Sequence, residues 1–393
     1  MAARTFEGKT EIAISSGPAA SSRRCLRSGE NPDFLTSQII TYIGNKRALL
    51  KDIDGQVEFV KSSLGKKRLV CADLFSGSGI VARLLKRSAK KIIANDLETY
   101  SYILNDCYLT NAGDFPQKEY AECRSSILKI AKNKKTPGII AQNYAPQDDQ
   151  NIQPGERVFY TRQNALLLDT YRYLIEEKCP PELKKFFLAP LITEASVHVN
   201  TSGVFKGFYK DKNTGLGCFG GAGKDALKRI LGQVELKIPL FSVYDCEREL
   251  FQEDAEALAQ KLRGLDLAYL DPPYNQHPYG SNYFMLNLLA KNKIDAELSP
   301  VSGIVQNWNH SQFNKAKLAL GSLERIVAAL DAKFVVISYN SEGFIGLQEM
   351  QAMLKRYGKV KTVEIPYNAF RGSRNLSGRP IHVREYLFVV EKK

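Results

Sequence analysis

Zinc and disulfide chemistry find little to work with in this chain. It has four histidines, and His277, His310 and His382 stand too far apart in the chain to suggest a metal-ligand set. Its seven cysteines (Cys25, Cys71, Cys107, Cys123, Cys179, Cys218 and Cys246) are odd in number, widely spaced and without a C-x-x-C pair. They read as free thiols of a reducing cytoplasm, with no metal site and no disulfide framework. No stretch approaches the roughly 18 consecutive apolar residues of a membrane span. The opening MAARTFEGKTEIAISS offers only Ile12-Ala13-Ile14 as an apolar run, too short for a secretory signal. A cytoplasmic protein with no membrane partner is expected.

What is present is a chain of 393 residues, enough for two domains or one enlarged domain, with a net charge of +13. That excess suits a polyanionic partner and salt-sensitive binding, and equally suits a merely basic protein. Residues 1–36 carry Arg4, Arg23, Arg24 and Arg27 among Ser, Gly and Ala, which reads as a basic flexible arm, either idle or touching phosphates.

The stretch that organises the rest is 265–284, LDLAYLDPPYNQHPYGSNYF. An apolar run, broken only by Asp266, predicts a buried parallel strand. It ends at Asp271-Pro272-Pro273-Tyr274. Each proline fixes its own φ and drives the residue before it toward extended angles, so the tetrapeptide is rigid. It stands at the carboxyl end of a strand, where open α/β sheets bind ligands. A carboxylate, a free carbonyl and an aromatic ring are thereby held at fixed offsets. An ordinary strand-to-loop turn would look the same in isolation.

Other segments give the tetrapeptide a context. Residues 69–82, LVCADLFSGSGIVA, read as strand, glycine turn and helix, the first βα unit of a doubly wound sheet, with Gly77 and Gly79 allowing close backbone approach to a ligand. Residues 91–98 form a second strand ending at Asp96, placed to accept both hydroxyls of a ribose or to cap the following helix. Residues 240–245, LFSVYD, predict a third strand with Asp245 at its end, followed by a helix over 253–262. Between the second and third strands, residues 111–239 exceed a helical crossover and read as an insertion. Its stretch 196–223 is rich in glycine, aromatics and lysine, Lys206 and Lys210 among them. That composition suits backbone approach to nucleic acid, and suits structural elaboration or dimerisation as well. After the tetrapeptide, helices over 283–290, 315–331 and 346–357 alternate with strands over 334–340, 360–365 and 385–390, the last two as an antiparallel pair. The loop carrying Arg371 and Arg374 between them is a phosphate clamp or a solvated turn.

Asp-Pro-Pro-Tyr behind an apolar strand resembles the catalytic motif of amino-methyltransferases that use S-adenosylmethionine. The ordered segments over residues 42–393 resemble most the Dam-type (alpha motif order) DNA adenine-N6 methyltransferases. The resemblance implies an α/β fold, a doubly wound and mostly parallel methyltransferase (Rossmann-like) sheet. The catalytic domain would span 37–110 and 240–393, with 111–239 as the target-recognition insertion. It further implies that Tyr42 and Lys46, in the Tyr-Ile-Gly-Asn-Lys segment that replaces the family's Trp-Ala-Gly-Gly-Lys, contact the cofactor. Asp73, Phe75, Gly77 and Gly79 match the loop Asp-x-Phe-x-Gly-x-Gly, with Asp73 on the amino-acid end. Asp245 would receive the adenine amine. Lys206, Lys210, Arg371 and Arg374 would meet DNA, and Asn282 and Tyr283 would lie under the cofactor.

The chemistry follows from the substrate. An exocyclic amine conjugated with a base ring is a poor nucleophile. Asp271 and the carbonyl of Pro272 can accept its two N–H bonds and aim its lone pair. Tyr274 would stack on the base, which must leave the duplex to reach such a pocket. Cytosine-C5 chemistry would need a nucleophilic cysteine, and the only Cys-Pro, Cys179-Pro180, lies in the insertion. The reading is a site-specific adenine-N6 methyltransferase of double-stranded DNA using S-adenosylmethionine, in a bacterial or phage-encoded setting. A separate cognate restriction endonuclease is compatible with it. The rivals are an RNA amino-methyltransferase and a DNA-binding pseudoenzyme.

Overall fold

All six side chains of the segment LDLAYL are buried, which places this strand in the middle of the sheet. The structure, a computed structural model, describes residues 12–14, 29–37, 39–221, 223–368 and 382–393. The strands in chain order are β1 (Ile12–Ile14), β2 (Leu69–Asp73), β3 (Ala89–Asn95), β4 (Glu247–Phe251), β5 (Leu265–Leu270), β6 (Ala332–Asn340), β7 (Gly358–Asn368) and β8 (His382–Lys392). They form one sheet in the order β1-β7-β8-β6-β5-β2-β3-β4. Every pairing is parallel except those of β8, which runs antiparallel between β6 and β7. The chain leaves β2 toward one edge through β3 and β4, and crosses back over β2 to β5 and the other edge. The carboxyl ends of β2 and β5 therefore flank the point where the order reverses, the place a doubly wound sheet offers a ligand.

Strand periodicity sorts the core. Cys71, Leu267, Tyr269, Phe334, Val336 and Leu387 face one layer, with helices Leu50–Leu64 and Ile80–Lys86. Ala72, Ala268, Leu270, Val335, Ile337 and Phe388 face the other, with helices Ala255–Ala259, Ala316–Ala329 and Leu347–Lys355. The aspartate that interrupts the β5 run is explained at its foot. Asp266 takes the Lys66 ammonium at 2.6 Å and accepts from the Val70 amide at 2.9 Å, so its burial is compensated.

The residues between β3 and β4 add three long helices, Gln117–Asn133, Arg162–Lys178 and Pro181–Val197. They do not bury their apolar faces on one another alone. Phe187, Leu191 and Ile175 share a third core with Leu104 and Cys107 of helix Thr99–Tyr108 and with Met285 and Leu289 of helix Phe284–Lys291. Arg172 donates to the carbonyls of Leu289 and Ala290, satisfying the free end of that second helix, and Lys185 pairs with Asp106 at 2.8 Å.

Three expectations need correction. Residues 240–245 are not a strand; the third strand of this half is β4, which pairs with β3 in register Lys91 to Glu247. The strand ERELF opens with three charged residues and keeps Glu247 and Glu249 exposed because β4 is an edge strand, whereas the apolar LFSVYD run lies before it outside the sheet, with Ser242 fully buried. The helix after it is shorter than 253–262, running Ala255–Ala259 with Asp254 as its N-cap. Residues 29–36, counted with the basic arm, include Phe34 at 1% exposure and a Glu30 carboxylate that accepts from Ser242 and Val243. Arg4, Arg23, Arg24 and Arg27 lie outside the described residues.

Because the inserted helices share their core with the sheet's own helices, one unfolding unit is expected. Phe187→Ala should cost about 3–5 kcal/mol. Urea transitions followed by helical circular dichroism and by Trp308 fluorescence should move down together; two separated transitions would mark the insertion as an independent unit.

Candidate active site

A cleft of about 910 Å³, solvent at its mouth included, opens over the carboxyl ends of β2, β3 and β5. Its floor begins with β2. Beyond Asp73 the chain turns through Phe75-Ser76-Gly77-Ser78-Gly79 into helix Ile80–Lys86. Gly77 and Gly79 hold φ of +52° and +76°. A Cβ on Gly77 would stand 2.7 Å from the Tyr42 ring, and one on Gly79 would stand 2.7 Å from the Asn105 amide oxygen. Both the backbone angle and the space exclude a side chain. Asp96, just past β3, accepts from the Gly77 amide at 2.7 Å and from the Glu98 amide at 2.9 Å, tying the turn to the second strand. Asn95 ties it to β4 as well, donating to the carbonyls of Leu74 and Glu253 and accepting from the Glu253 amide.

Asp73 is the unsatisfied group of this floor. It is 1% exposed, and neither carboxylate oxygen has a partner of ordinary hydrogen-bond geometry, although the amides of Phe75 and Ala82 offset part of its cost. Burial, then the negative charge of Asp271, pushes its carboxyl well above the usual range. An orphaned carboxylate facing a cleft is a receptor for a cationic ligand group.

The opposite wall is Asp271, at the end of β5. Its side chain keeps 19% exposure, and Oδ1 lies 3.0 Å from the Lys46 ammonium. Lys46 in turn reaches Glu385 Oε1 at 2.8 Å. Burial raises the Asp271 carboxyl to about 6, with Lys46 opposing the rise and Glu385 adding to it. Lys46 is held above its ordinary value by Asp271 and Glu385 despite complete burial, which works the other way.

The segment bearing Lys46 is positioned by aromatic residues far along the chain. Tyr42 clusters with Tyr279 and Tyr283, with centroids 4.9 and 4.8 Å away and the latter two 5.9 Å from each other. The Tyr283 hydroxyl accepts from the Ile43 amide at 2.7 Å, and the Tyr279 hydroxyl donates to the Ile43 carbonyl at 3.0 Å. Gly44 turns the chain at φ +75°, and the Asn45 side chain caps the short helix Lys46–Leu49. Pro273 lines the cleft, Pro272 is buried behind it, and Tyr274 packs edge-on against Tyr339.

With this geometry in view, likeness to known proteins is decisive. The model of the D12 class N6 adenine-specific DNA methyltransferase family matches residues 42–353. The chain belongs to that family. Type II methyltransferase M.CviAII of Paramecium bursaria Chlorella virus 1 is 31% identical over 361 residues, spanning 89% of this chain and 98% of that protein. Type II methyltransferase M.NlaIII of Neisseria lactamica is 27% identical over 361 residues, spanning 90% and 99%. Modification methylase StsI of Streptococcus sanguinis is 27% identical over 371 residues and is matched over 52% of its own length. The protein is an adenine-specific DNA methyltransferase, and its sheet is the Rossmann-like sheet of that chemistry.

The methyltransferase gathers Tyr42, Lys46, Asp73, Phe75, Gly77, Asp96, Asp271 and Pro273 around one cleft, with Gly79 at its turn. It does not bring Asp245 there. Asp245 stands before β4, at the opposite end of the sheet, with its carbonyl held by Arg68. The acids that β4 delivers to the cleft are Glu253 and Asp254, and Asp254 already caps the next helix. Tyr283 lies in the tyrosine cluster, and the Asn282 carbonyl accepts from Phe205 of the insertion. Lys206 is half-buried beside the segment that follows Tyr274, its ammonium 3.3 Å from His277 Nδ1. Lys210 is exposed and lies over the Phe208 ring. Arg371 and Arg374 lie outside the described residues.

Sequence reasoning missed Glu98, Asn309 and Glu385. Glu98 is buried on the cleft wall with its carboxyl raised to about 7, chiefly by burial, and it accepts from Asn287 and Asn309. Nothing local marked these residues, since each acts through contacts distant in the chain. No helix among the described residues is long and apolar enough to cross a membrane.

Gly77→Ala is expected to weaken methyl-donor binding at least about tenfold, as the new methyl group strains the left-handed turn at Gly77 and must displace the Tyr42 ring. Calorimetric titration with the donor checks this, and unchanged affinity would remove the turn from the binding site.

Proposed function

We propose that the methyl donor is S-adenosylmethionine and that Asp271 orients the target amine for attack on it. The observation that carries this reading is a carboxylate at the end of the central strand, open to the cleft and facing the glycine turn from β2. The residues fit the donor. The orphaned Asp73 carboxylate suits its ammonium group, Gly77 and Gly79 leave room where any side chain would intrude, and Asp96 retains oxygen lone pairs for ribose hydroxyls. When bound, S-adenosylmethionine supplies an electrophilic methyl group on a positive sulfur.

The chain's own residues do the rest. Asp271 and the Pro272 carbonyl accept the two N–H bonds of the adenine amine, which draws the nitrogen toward tetrahedral geometry. Fixed acceptors also stabilise the positive charge that grows on nitrogen. The donor would leave as a neutral thioether when its methyl–sulfur bond breaks, and the methylated amine would release one proton to solvent, so no covalent enzyme intermediate is needed. Tyr274 provides the stacking face for a base turned out of a duplex. Cofactor segment, glycine loop, insertion and catalytic loop follow one another along the chain, the alpha order of the Dam-type enzymes. In that reading residues 111–239 recognise the target sequence, with Lys206 and Lys210 beside the DNA and Arg371 and Arg374 on its phosphates. The relatives' type II names make a separate cognate endonuclease a natural partner, and the DNA substrate suits a cytoplasmic setting.

The test is methyl transfer from labelled S-adenosylmethionine to duplex DNA and to RNA. N6-methyladenine in DNA is expected, falling at least about 10²-fold with Asp271→Ala; label in RNA alone would overturn the substrate assignment. In the free enzyme the Asp271 carboxyl titrates at about 6, raised by burial. Below that pH it is protonated and loses its acceptor role. The profile of kcat/KM should therefore fall on the acid side through about pH 6; a flat profile down to pH 5 would rule out this carboxylate as the titrating acceptor.

A further inference from the structure

The last strand contributes a group that the mechanism above leaves unused. Glu385 sits on β8, paired in register with Asn340 of β6, and is 2% exposed. Its Oε1 lies 2.8 Å from the Lys46 ammonium and accepts from the Ser338 hydroxyl at 2.8 Å. Its Oε2 accepts from the Asn340 amide at 3.1 Å. Three donors on one buried carboxylate fix its orientation. Its position matters because Lys46 also touches Asp271, at 3.0 Å.

We infer that Glu385 is a positioning residue for methyl transfer: as the second counter-charge of Lys46, it stops that ammonium from cancelling the Asp271 carboxylate that must receive the adenine amine. A lone lysine against Asp271 would form a neutral pair and compete with the substrate amine for the same oxygens. With Glu385 on the other side, one ammonium is shared between two carboxylates. The triad then carries a net negative charge and Asp271 keeps acceptor strength. Among the described residues, the other ionisable groups facing this triad are Asp73 from β2, Tyr269 from β5, and Tyr274 and Tyr279 beyond it. None of them is a second cation, so the balance is set by Lys46 and Glu385. The inference rests on the reading of Asp271 as the amine acceptor.

The experiment is the pH profile of kcat/KM for methyl transfer to duplex DNA, measured on wild type, Glu385→Gln, Lys46→Met and Asp271→Asn. Calorimetric binding of S-adenosylmethionine and circular dichroism establish that each variant is folded. Glu385→Gln hands Lys46 wholly to Asp271. The acid limb should move down by about one pH unit. On the plateau kcat should fall about tenfold with little change in KM for the donor. Lys46→Met leaves two carboxylates together, and the limb should move up by at least about one unit. Opposite displacements are the signature, because a merely structural role predicts none. Limbs that stay in place, or that move the same way, overturn the inference. Should one variant fail to fold, the direction of the other decides. Asp271→Asn separates the two levels: its profile should lose the acid limb. If the limb survives there, the reading of Asp271 itself falls; if it vanishes while the other two variants leave the limb unmoved, only the role of Glu385 falls.

Discussion

An ionisable carboxylate held at the end of a buried central strand is the constraint from which most of this site follows. Asp271 cannot be charged there without compensation, since transfer of a carboxylate from water is far costlier than a single hydrogen bond restores. Lys46 compensates it, and Lys46 is buried too, so it needs more than one anion. The compensating charges come from widely separated parts of the chain, which meet only when the sheet has closed. The catalytic geometry is thus a consequence of complete folding.

The same closure explains the insertion's packing. A helical excursion of residues 111–239 attached only by its ends would leave the position of its loops loosely defined. Here Arg172 caps helix Phe284–Lys291, the Tyr144 hydroxyl donates to the Gly303 carbonyl at 2.6 Å, and the Phe205 amide donates to Asn282 next to the tyrosine cluster. The loop that carries Lys206 is thereby fixed against the segment that follows the catalytic tetrapeptide. A shift of the insertion would be transmitted to Tyr279 and Tyr283, and through them to Tyr42.

The parts of this arrangement legible in the sequence were those whose physics is local. Prolines after an apolar run, glycines after a strand and an acid at a strand end each impose geometry on their neighbours, and β2, β3, β5 and β6 lie where that reasoning placed them. Asp245 failed because periodicity ranks an apolar run above a half-exposed edge strand. LFSVYD outscored ERELF, although pairing with β3 is what defines the strand. Glu385 was hidden for the opposite reason. In a terminal strand it looks like any alternating polar residue, and its meaning depends on Lys46, distant in the chain and adjacent in space.

The tyrosine cluster shows what the segment Tyr-Ile-Gly-Asn-Lys supplies to this site. What this position must provide is a flat face of low side-chain entropy that spans the gap between the glycine turn and the helix after the catalytic loop. Tyr42 does so, with its ring against Gly77 on one side, against Tyr279 and Tyr283 on the other, and its hydroxyl accepting from Tyr100 at 3.2 Å. Asn45 has its own use: its side chain caps the turn that presents Lys46, accepting from the Arg47 amide at 2.8 Å. The property this segment delivers is the placement of one ammonium between two carboxylates, Asp271 and Glu385.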